Sequence, residues 1–105
     1  MNHRDVTMVR IYLTEGEHVL KSLLERLHDD EQVWGVTVFR GISGFGKSGK
    51  MYSSTLLDLS LDLPLVIEFF DQPAKVSRIL SHLKDILQPG HVITWPAQVN
   101  ETVDG

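Results

Sequence analysis

The sequence contains no cysteine, which excludes disulfide bonds, thiol catalysis and cysteine-ligated zinc. This absence is typical of proteins in a reducing compartment, and we expect a cytoplasmic location. The sequence also lacks an apolar run of the roughly 18 residues that read as a membrane-spanning helix. Because the formal net charge is −4, it lacks the basic surface of a general nucleic-acid-binding protein, and we expect no nucleic acid as a partner.

The sequence contains enough apolar residues, in regular patterns, to form the core of one domain. The chain has 105 residues, of which 42% are hydrophobic, so it can bury a single core and disorder is disfavoured. We therefore expect residues 1–105 to form one domain, with a long loop at about 41–62 and a loose polar tail at about 97–105.

Hydrophobic periodicity predicts four strands and two helices. Strands are predicted where apolar residues alternate or β-branched and apolar residues cluster, at residues 7–13, 36–40, 65–70 and 92–95. The helices are predicted to begin after a Thr14–Glu17 capping box and at Pro73. The order β-α-β-β-α-β predicts an α+β, ferredoxin-like fold, a four-stranded antiparallel sheet with both helices on one face.

One face of this sheet would carry exposed apolar residues, namely Met8, Tyr12, Val66 and Phe70. Soluble proteins usually cover such a patch, so we expect a homo-oligomer, with coverage by the tail or the long loop as the alternative. Arg10 and Glu68 share this face on neighbouring strands and are predicted to form an ion pair.

The 41–62 segment is rich in glycine and matches the P-loop pattern literally, from Gly41 to Gly46, Lys47 and Ser48. A P-loop must open a long helix, and Gly49 directly after Ser48 disfavours one. The weaker prediction is an anion-binding turn whose free amides surround a phosphate.

Charge supports that weaker prediction. No acidic residue occurs from position 32 to 57, whereas Arg40, Lys47 and Lys50 are basic. The alternative is a flexible connection with solubilising lysines, although loops this long are usually functional or disordered. Without a ligand or partner, we expect a mobile segment within residues 46–56. Phe45 is expected to anchor the loop or to stack on a base.

Catalytic and metal sites find no support in the sequence. The five histidines include no metal-spaced pair on a helix face, and no nucleophile, base and orienting group can be assigned together. His91 is equally compatible with a ligand contact and a plain surface position. We therefore expect no metal, no required cofactor and no enzymatic activity.

The run from Gly35 to Gly46, with Ser53-Ser54 and the stretch 62–68, resembles the PII-like signalling family. The resemblance implies a ferredoxin-like homotrimer that binds an adenine nucleotide between subunits. It further implies that the 41–62 loop reaches a protein partner, and we expect a membrane transporter to be a candidate for this partner. By position, the resemblance places Gly41, Gly44, Phe45 and Gly46 at the base of this loop. It also implies that a neighbouring subunit brings the short loop Pro89-Gly90-His91 to the same cleft.

The predicted ligand set therefore joins those positions to Lys47 and Lys50. The first helix lacks the glycine-lysine-proline-leucine-tyrosine stretch of many relatives, and the segment 47–50 is more basic than in them. Two other functions remain open: a small phosphate-handling hydrolase using Lys47 and Ser48, and an interaction module with no small ligand.

Overall fold

Residues 2–46, 48–53 and 62–101 are described by the structure, a computed structural model of the chain. Within these ranges the strands are Asn2–Thr14 (β1), Val36–Arg40 (β2), Ser43–Phe45 (β3), Met51–Ser53 (β4), Pro64–Asp71 (β5) and Val92–Glu101 (β6). The helices are Leu20–Glu25 (α1), which continues as a π-helical turn over Arg26–Asp30, and Pro73–His82 (α2). No helix in these ranges is long and apolar enough to cross a membrane.

The main sheet has four antiparallel strands in the order β2-β5-β1-β6, which confirms the predicted ferredoxin-like fold. Its register places Arg10 of β1 opposite Glu68 of β5 on one side and opposite Ile93 of β6 on the other. Since side chains alternate along a strand, these residues share one face of the sheet.

The core lies between the other face of the sheet and the two helices. It joins odd-numbered residues of β1 and β5 with the apolar stripes of both helices: Val9, Ile11, Leu13, Leu65, Ile67, Phe69, Leu23, Leu27, Val76, Ile79 and Leu83. This confirms the predicted alternation and shows that both helices cover the same face.

The capping box forms, but it does not begin the helix as predicted. The Thr14 amide donates to the Glu17 carboxylate at 3.1 Å, and residues Glu15–Glu17 form one 3₁₀ turn. His18 then adopts a left-handed conformation with φ of 57°, and α1 starts only at Leu20. The backbone reversal at His18 separates the capped turn from the helix.

The expected loose tail is wrong for residues 97–101, because β6 continues through Pro96 to Glu101. β1 begins at Asn2, before the predicted start at Thr7, and supplies a partner for this extension, with Asn2 opposite Glu101. β6 is an edge strand, and a proline is tolerated there because its missing amide can face the open side. Residues 102–105 lie outside the described part.

Part of the 41–62 loop is regular, which the sequence pattern did not predict. β3 and β4 form a separate antiparallel hairpin, with Ser43 opposite Ser53 and Phe45 opposite Met51. The segment expected to be mobile, 46–56, therefore includes β4, while Lys47 and residues 54–61 lie outside the described residues.

The sheet face opposite the helices, here called the open face, carries the predicted apolar residues Met8, Tyr12, Val66 and Phe70, together with Arg10 and Glu68. Arg10 Nε donates to Glu68 Oε2 at 3.0 Å, which confirms the predicted ion pair. The Arg10 guanidinium also lies 5.3 Å from the centre of the Trp95 ring. Tyr12 remains 40% exposed, so the described residues leave this face partly uncovered.

Candidate functional site

The predicted ligand residues that the structure describes lie at or beyond one end of the sheet, here called the loop end. β1 and β2 finish there, at Thr14 and Arg40, and β5 and β6 begin there, at Pro64 and Val92. Antiparallel pairing produces this arrangement, because the chain enters and leaves the 41–62 loop at the ends of two neighbouring strands.

Gly41 packs closely against the start of β5. Its amide donates to the Pro64 carbonyl at 2.7 Å, and a Cβ atom at Gly41 would lie only 2.7 Å from Pro64 Cγ. At Gly44 the corresponding distance is 3.6 Å, an ordinary contact. Gly41 therefore permits a close approach between strands, and its amide is already used, so it cannot be one of the free donors predicted for a phosphate.

The hairpin beyond Gly41 exposes Phe45 and the glycines of its turn, Gly46 and Gly49. Phe45 is 71% exposed, so the described residues provide little packing for the predicted anchor. The Gly46 carbonyl accepts from the Gly49 amide at 3.0 Å, and Gly49 adopts a φ of 79°, which favours glycine. Gly46 has open space around it and remains accessible to a ligand.

The positive charge predicted for this segment is partly compensated by two distant carboxylates. Arg40 Nε lies 2.6 Å from Glu15 Oε1, and Lys50 Nζ lies 3.9 Å from Asp62 Oδ2. Glu15 and Asp62 lie outside the acid-free stretch 32–57, so a count along that stretch could not include them. Two of the three basic residues predicted to attract a phosphate, Arg40 and Lys50, therefore already pair with carboxylates. The third, Lys47, lies outside the described residues.

Glu15 and Asp62 also tie the end of β1 to the start of β5, a role that sequence reasoning missed. The Gly16 amide donates to Asp62 Oδ1 at 2.7 Å, and the Glu15 amide donates to the Leu63 carbonyl at 3.0 Å. A Cβ atom on Gly16 would lie 2.9 Å from Asp62 Oδ1, so a larger residue there would displace this carboxylate. The contacts span more than forty positions of sequence, and no local pattern signals them.

His91 is held at the loop end by two bonds to Tyr12. The Tyr12 amide donates to the His91 carbonyl at 2.9 Å, and His91 Nδ1 lies 3.1 Å from the Tyr12 carbonyl oxygen. Because a carbonyl oxygen only accepts, Nδ1 must carry the proton, and Nε2 of the neutral ring is an acceptor. Gly90, with φ of 86°, makes the turn that places this ring.

A surface cavity of about 440 Å³ adjoins Gly90. Apolar side chains of α2 and β6 line it together with Lys84, Gln88 and the turn itself. Sequence reasoning did not single out Lys84, because its surroundings depend on how the turn after α2 folds back. The cavity adds a cation and an amide to the region around His91.

The two groups of predicted ligand residues do not meet within one chain. Gly41 and Gly44 follow β2, whereas Gly90 and His91 precede β6, and these strands are the opposite edges of the sheet. Three strand spacings separate the two edges, roughly 14 Å.

The structure does not provide the context of a P-loop. Ser48 Oγ accepts from the Lys50 amide at 3.3 Å, and the chain then enters β4 instead of a helix. In a P-loop, a helix begins directly after this serine and its N-terminal amides bind the phosphates. No such helix follows Ser48 in the described residues 48–53. Among the residues that the structure describes, no group of three or more histidine, aspartate or glutamate side chains could hold a metal ion.

Sequence comparison matches nearly the whole chain to one family. The model of DUF190, described as Uncharacterized ACR, COG1993, matches residues 6–99. A UPF0166 protein of Aquifex aeolicus is 39% identical over 70 residues, which cover 67% of this chain and 66%, just under two thirds, of that protein. A UPF0166 protein of Methanocaldococcus jannaschii is 30% identical over 95 residues, 82% of each chain.

Structure comparison shows the same fold in CPII, a nitrogen regulatory PII-like protein of Thiomonas intermedia K12. CPII bound to ADP and bicarbonate is similar with a TM-score of 0.68 and 21% identity, covering 95% of this chain and 93% of CPII. CPII bound to ADP, AMP and bicarbonate gives a TM-score of 0.73 and 21% identity, covering 95% and 92%. At these identities the likeness shows a shared PII-like fold.

Proposed function

This chain belongs to the DUF190 family and has a PII-like fold, and from that premise we propose that it is a PII-like regulatory protein. It binds an adenine nucleotide, or a similar phosphate-bearing ligand, between subunits. It signals through the 41–62 loop to a protein partner such as a membrane transporter. The ligand acts as the signal, and no further cofactor is required.

The observation that carries this proposal is the position of the two residue groups on opposite edges of the sheet. In a ring of identical chains, the edge that bears Gly41 and Gly44 meets the edge of a neighbour that bears Gly90 and His91. The ligand-bound structures of CPII, which shares the fold, support a nucleotide as the occupant.

The side chains at the two edges suit different parts of a nucleotide. The exposed Phe45 ring offers a face on which a base can stack, and the accessible Gly46 turn lets the backbone approach the phosphates. Lys47 and Lys50 supply positive charge for phosphate oxygens. From the neighbouring chain, His91 Nε2 accepts a hydrogen bond from an amino or hydroxyl group.

The pair formed by Lys50 and Asp62 suggests how binding reaches the loop. Asp62 marks the end of the 41–62 segment and also accepts from the Gly16 amide, so its carboxylate is held by the 3₁₀ turn that follows β1. Lys50 Nζ lies 3.9 Å from Asp62 Oδ2 in this structure. A phosphate group of the ligand competes with the Asp62 carboxylate for this ammonium group. The loop has two states, and the ligand changes their populations by as much as its affinity differs between them.

The homotrimer uses the open face. Apolar side chains surround the central Arg10–Glu68 pair there, and Ile93 and Phe39 are 50% and 51% exposed. Stacking the open faces of three chains removes this surface from water, which is the main driving force for permanent assembly.

A thermal-shift panel tests the proposal. ATP, ADP and AMP are added with and without magnesium, and ADP also with bicarbonate. A ligand that binds only the folded state at about 100 times its Kd stabilises it by about 2.7 kcal/mol, enough to raise Tm by several degrees. Nucleotide turnover would support the hydrolase instead, and no shift with any nucleotide would leave an interaction module.

A further inference from the structure

A groove lies at the other end of β2, away from the candidate nucleotide site. It has a volume of about 600 Å³ and runs between α1 with its π-helical turn and the start of β2. Val36 lines it, whereas Arg40 at the loop end lies about 13 Å further along the strand. We call it the Trp34 groove, defined by Leu24, Glu25, Asp29, Val33, Trp34 and Gly35.

The floor of the groove is apolar and fixed. Leu24, Val33 and Val36 are half-buried, and both valines pack against the core. Trp34 is held from outside the groove, since the Phe70 ring packs edge-on at 5.6 Å and the Arg4 guanidinium lies 5.8 Å from its ring centre. The indole remains 46% exposed, so it forms a rigid wall that a ligand can still reach.

The rim of the groove is negative. Its lining includes the carboxylates of Glu25 and Asp29 and the imidazole of His28, and it includes no lysine or arginine. Lys21 Nζ lies 4.0 Å from Glu25 Oε1 and its side chain is 91% exposed, so this ion pair is weak. His28 Nδ1 lies 2.7 Å from Asp29 Oδ1.

Arg4 and Lys75, two cations near the groove, each pair with a carboxylate outside its lining. Arg4 pairs with Glu101, and Lys75 pairs with Asp71 while donating to the Gln32 carbonyl. The groove therefore combines a hydrocarbon floor, an aromatic wall and two carboxylates. Ligand pockets commonly have this size and this mixture of an apolar floor with a few placed polar groups.

From this combination we infer that the Trp34 groove binds a small organic cation, a guanidinium or alkylammonium group carried on a short hydrocarbon chain. The hydrocarbon lies on the valines and the indole, and the cationic head donates to Glu25 and Asp29. An anionic ligand such as a nucleotide is repelled by the same rim, so this site is separate from the one at the loop end.

Two probes of equal shape test the charge requirement. Butylguanidinium and the neutral butylurea are titrated into the 105-residue chain without nucleotide, by calorimetry and by NMR of the Trp34 indole N–H. We expect butylguanidinium to bind about tenfold more tightly than butylurea and to shift the Trp34 resonance. Equal affinities, or no shift of that resonance, would overturn the assignment.

Matched variants locate the site. Glu25→Gln with Asp29→Asn should abolish the preference for the charged probe, whereas Asp30→Asn, an exposed acid of the same helical turn outside the lining, should leave it within about twofold. Gly35→Ala should weaken binding of both probes and keep the parent Tm, since a Cβ at Gly35 meets nothing within 4 Å. A loss in Asp30→Asn equal to that in the double variant would refute the site.

Discussion

Arg10 and Glu68 face each other across β1 and β5 at the centre of the open face, with Arg10 Nε 3.0 Å from Glu68 Oε2. The hydrogen bond to Glu68, and secondarily one to Tyr12, raises the pKa of Arg10 above its ordinary value, so the guanidinium stays charged at any working pH. A subunit that covers this face must therefore accept both charges as a pair.

We predict that breaking this pair weakens assembly. Glu68→Gln leaves the Arg10 charge without its carboxylate in an apolar interface, and oligomer dissociation should move to higher protein concentration. Sedimentation velocity over a dilution series measures the shift. The double variant Arg10→Met with Glu68→Leu is the control, because it replaces both charges with apolar side chains. It should assemble at least as well as the parent chain.

The assembly itself should be a homotrimer. Light scattering coupled to gel filtration at micromolar concentration is expected to give three times the 11.9 kDa chain mass. A monomer mass under those conditions would remove both the trimer and the intersubunit cleft.

Gly41→Ala should destabilise the fold, whereas Gly44→Ala should not. The new methyl group at Gly41 would lie 2.7 Å from Pro64 Cγ, but the one at Gly44 would lie 3.6 Å away. Overpacking of this kind costs about 1–3 kcal/mol of unfolding free energy, while the Gly44 variant should stay within about 0.5 kcal/mol. Urea denaturation compares the two, and equal stabilities would argue against the close approach at Gly41.

Lys47→Ala is expected to weaken nucleotide binding by about 1.5–3 kcal/mol, since it removes a charge-assisted contact with phosphate. Calorimetry measures the affinity, with Lys21→Ala as a control at an exposed lysine on α1. An unchanged affinity in Lys47→Ala would leave the turn at Gly46 and Gly49 as the phosphate cradle.

The bond between Arg26 and Asp85 predicts an acid-sensitive contribution to stability. Arg26 donates to both oxygens of Asp85, at 3.0 and 2.9 Å, and this lowers the pKa of Asp85 below its ordinary 3.8. The stabilisation is present above pH 3.8, where an unfolded Asp85 is also charged, and is lost as the pH falls through the lower folded value.

Thermal melts of Asp85→Asn should therefore show a lower Tm than the parent chain at neutral pH, with the difference vanishing in strong acid. The difference should be small, because the Asp85 side chain is 65% exposed. Asp30→Asn serves as the control at another exposed acid. A difference that grows as the pH falls would contradict the assigned cause.

Local patterns were sufficient for the sheet and its core. The alternation of Val9, Ile11 and Leu13 against Met8 and Tyr12 identified the two faces of β1, because side-chain direction in a strand follows from position alone. The same parity argument placed Arg10 beside Glu68, since the fold makes their strands neighbours.

Long-range contacts explain what the sequence pattern missed. β6 passes through Pro96 because β1 extends to Asn2 and gives it a partner. The charge of the 41–62 loop depends on Glu15 and Asp62, which reach it only after β1 and β5 pair. Neither the pairing nor its effect on Arg40 and Lys50 can be deduced from a window of neighbouring residues.

The position of Gly41 and His91 on opposite edges of the sheet has a consequence for mixed populations of subunits. If each cleft joins two chains, a chain defective only at the Gly41 edge can complement one defective only at His91. Random co-assembly in equal amounts would rebuild about one cleft in four from the two intact edges. Two inactive variants would then regain nucleotide binding when refolded together, and a heterozygous population would carry clefts that neither variant can form alone.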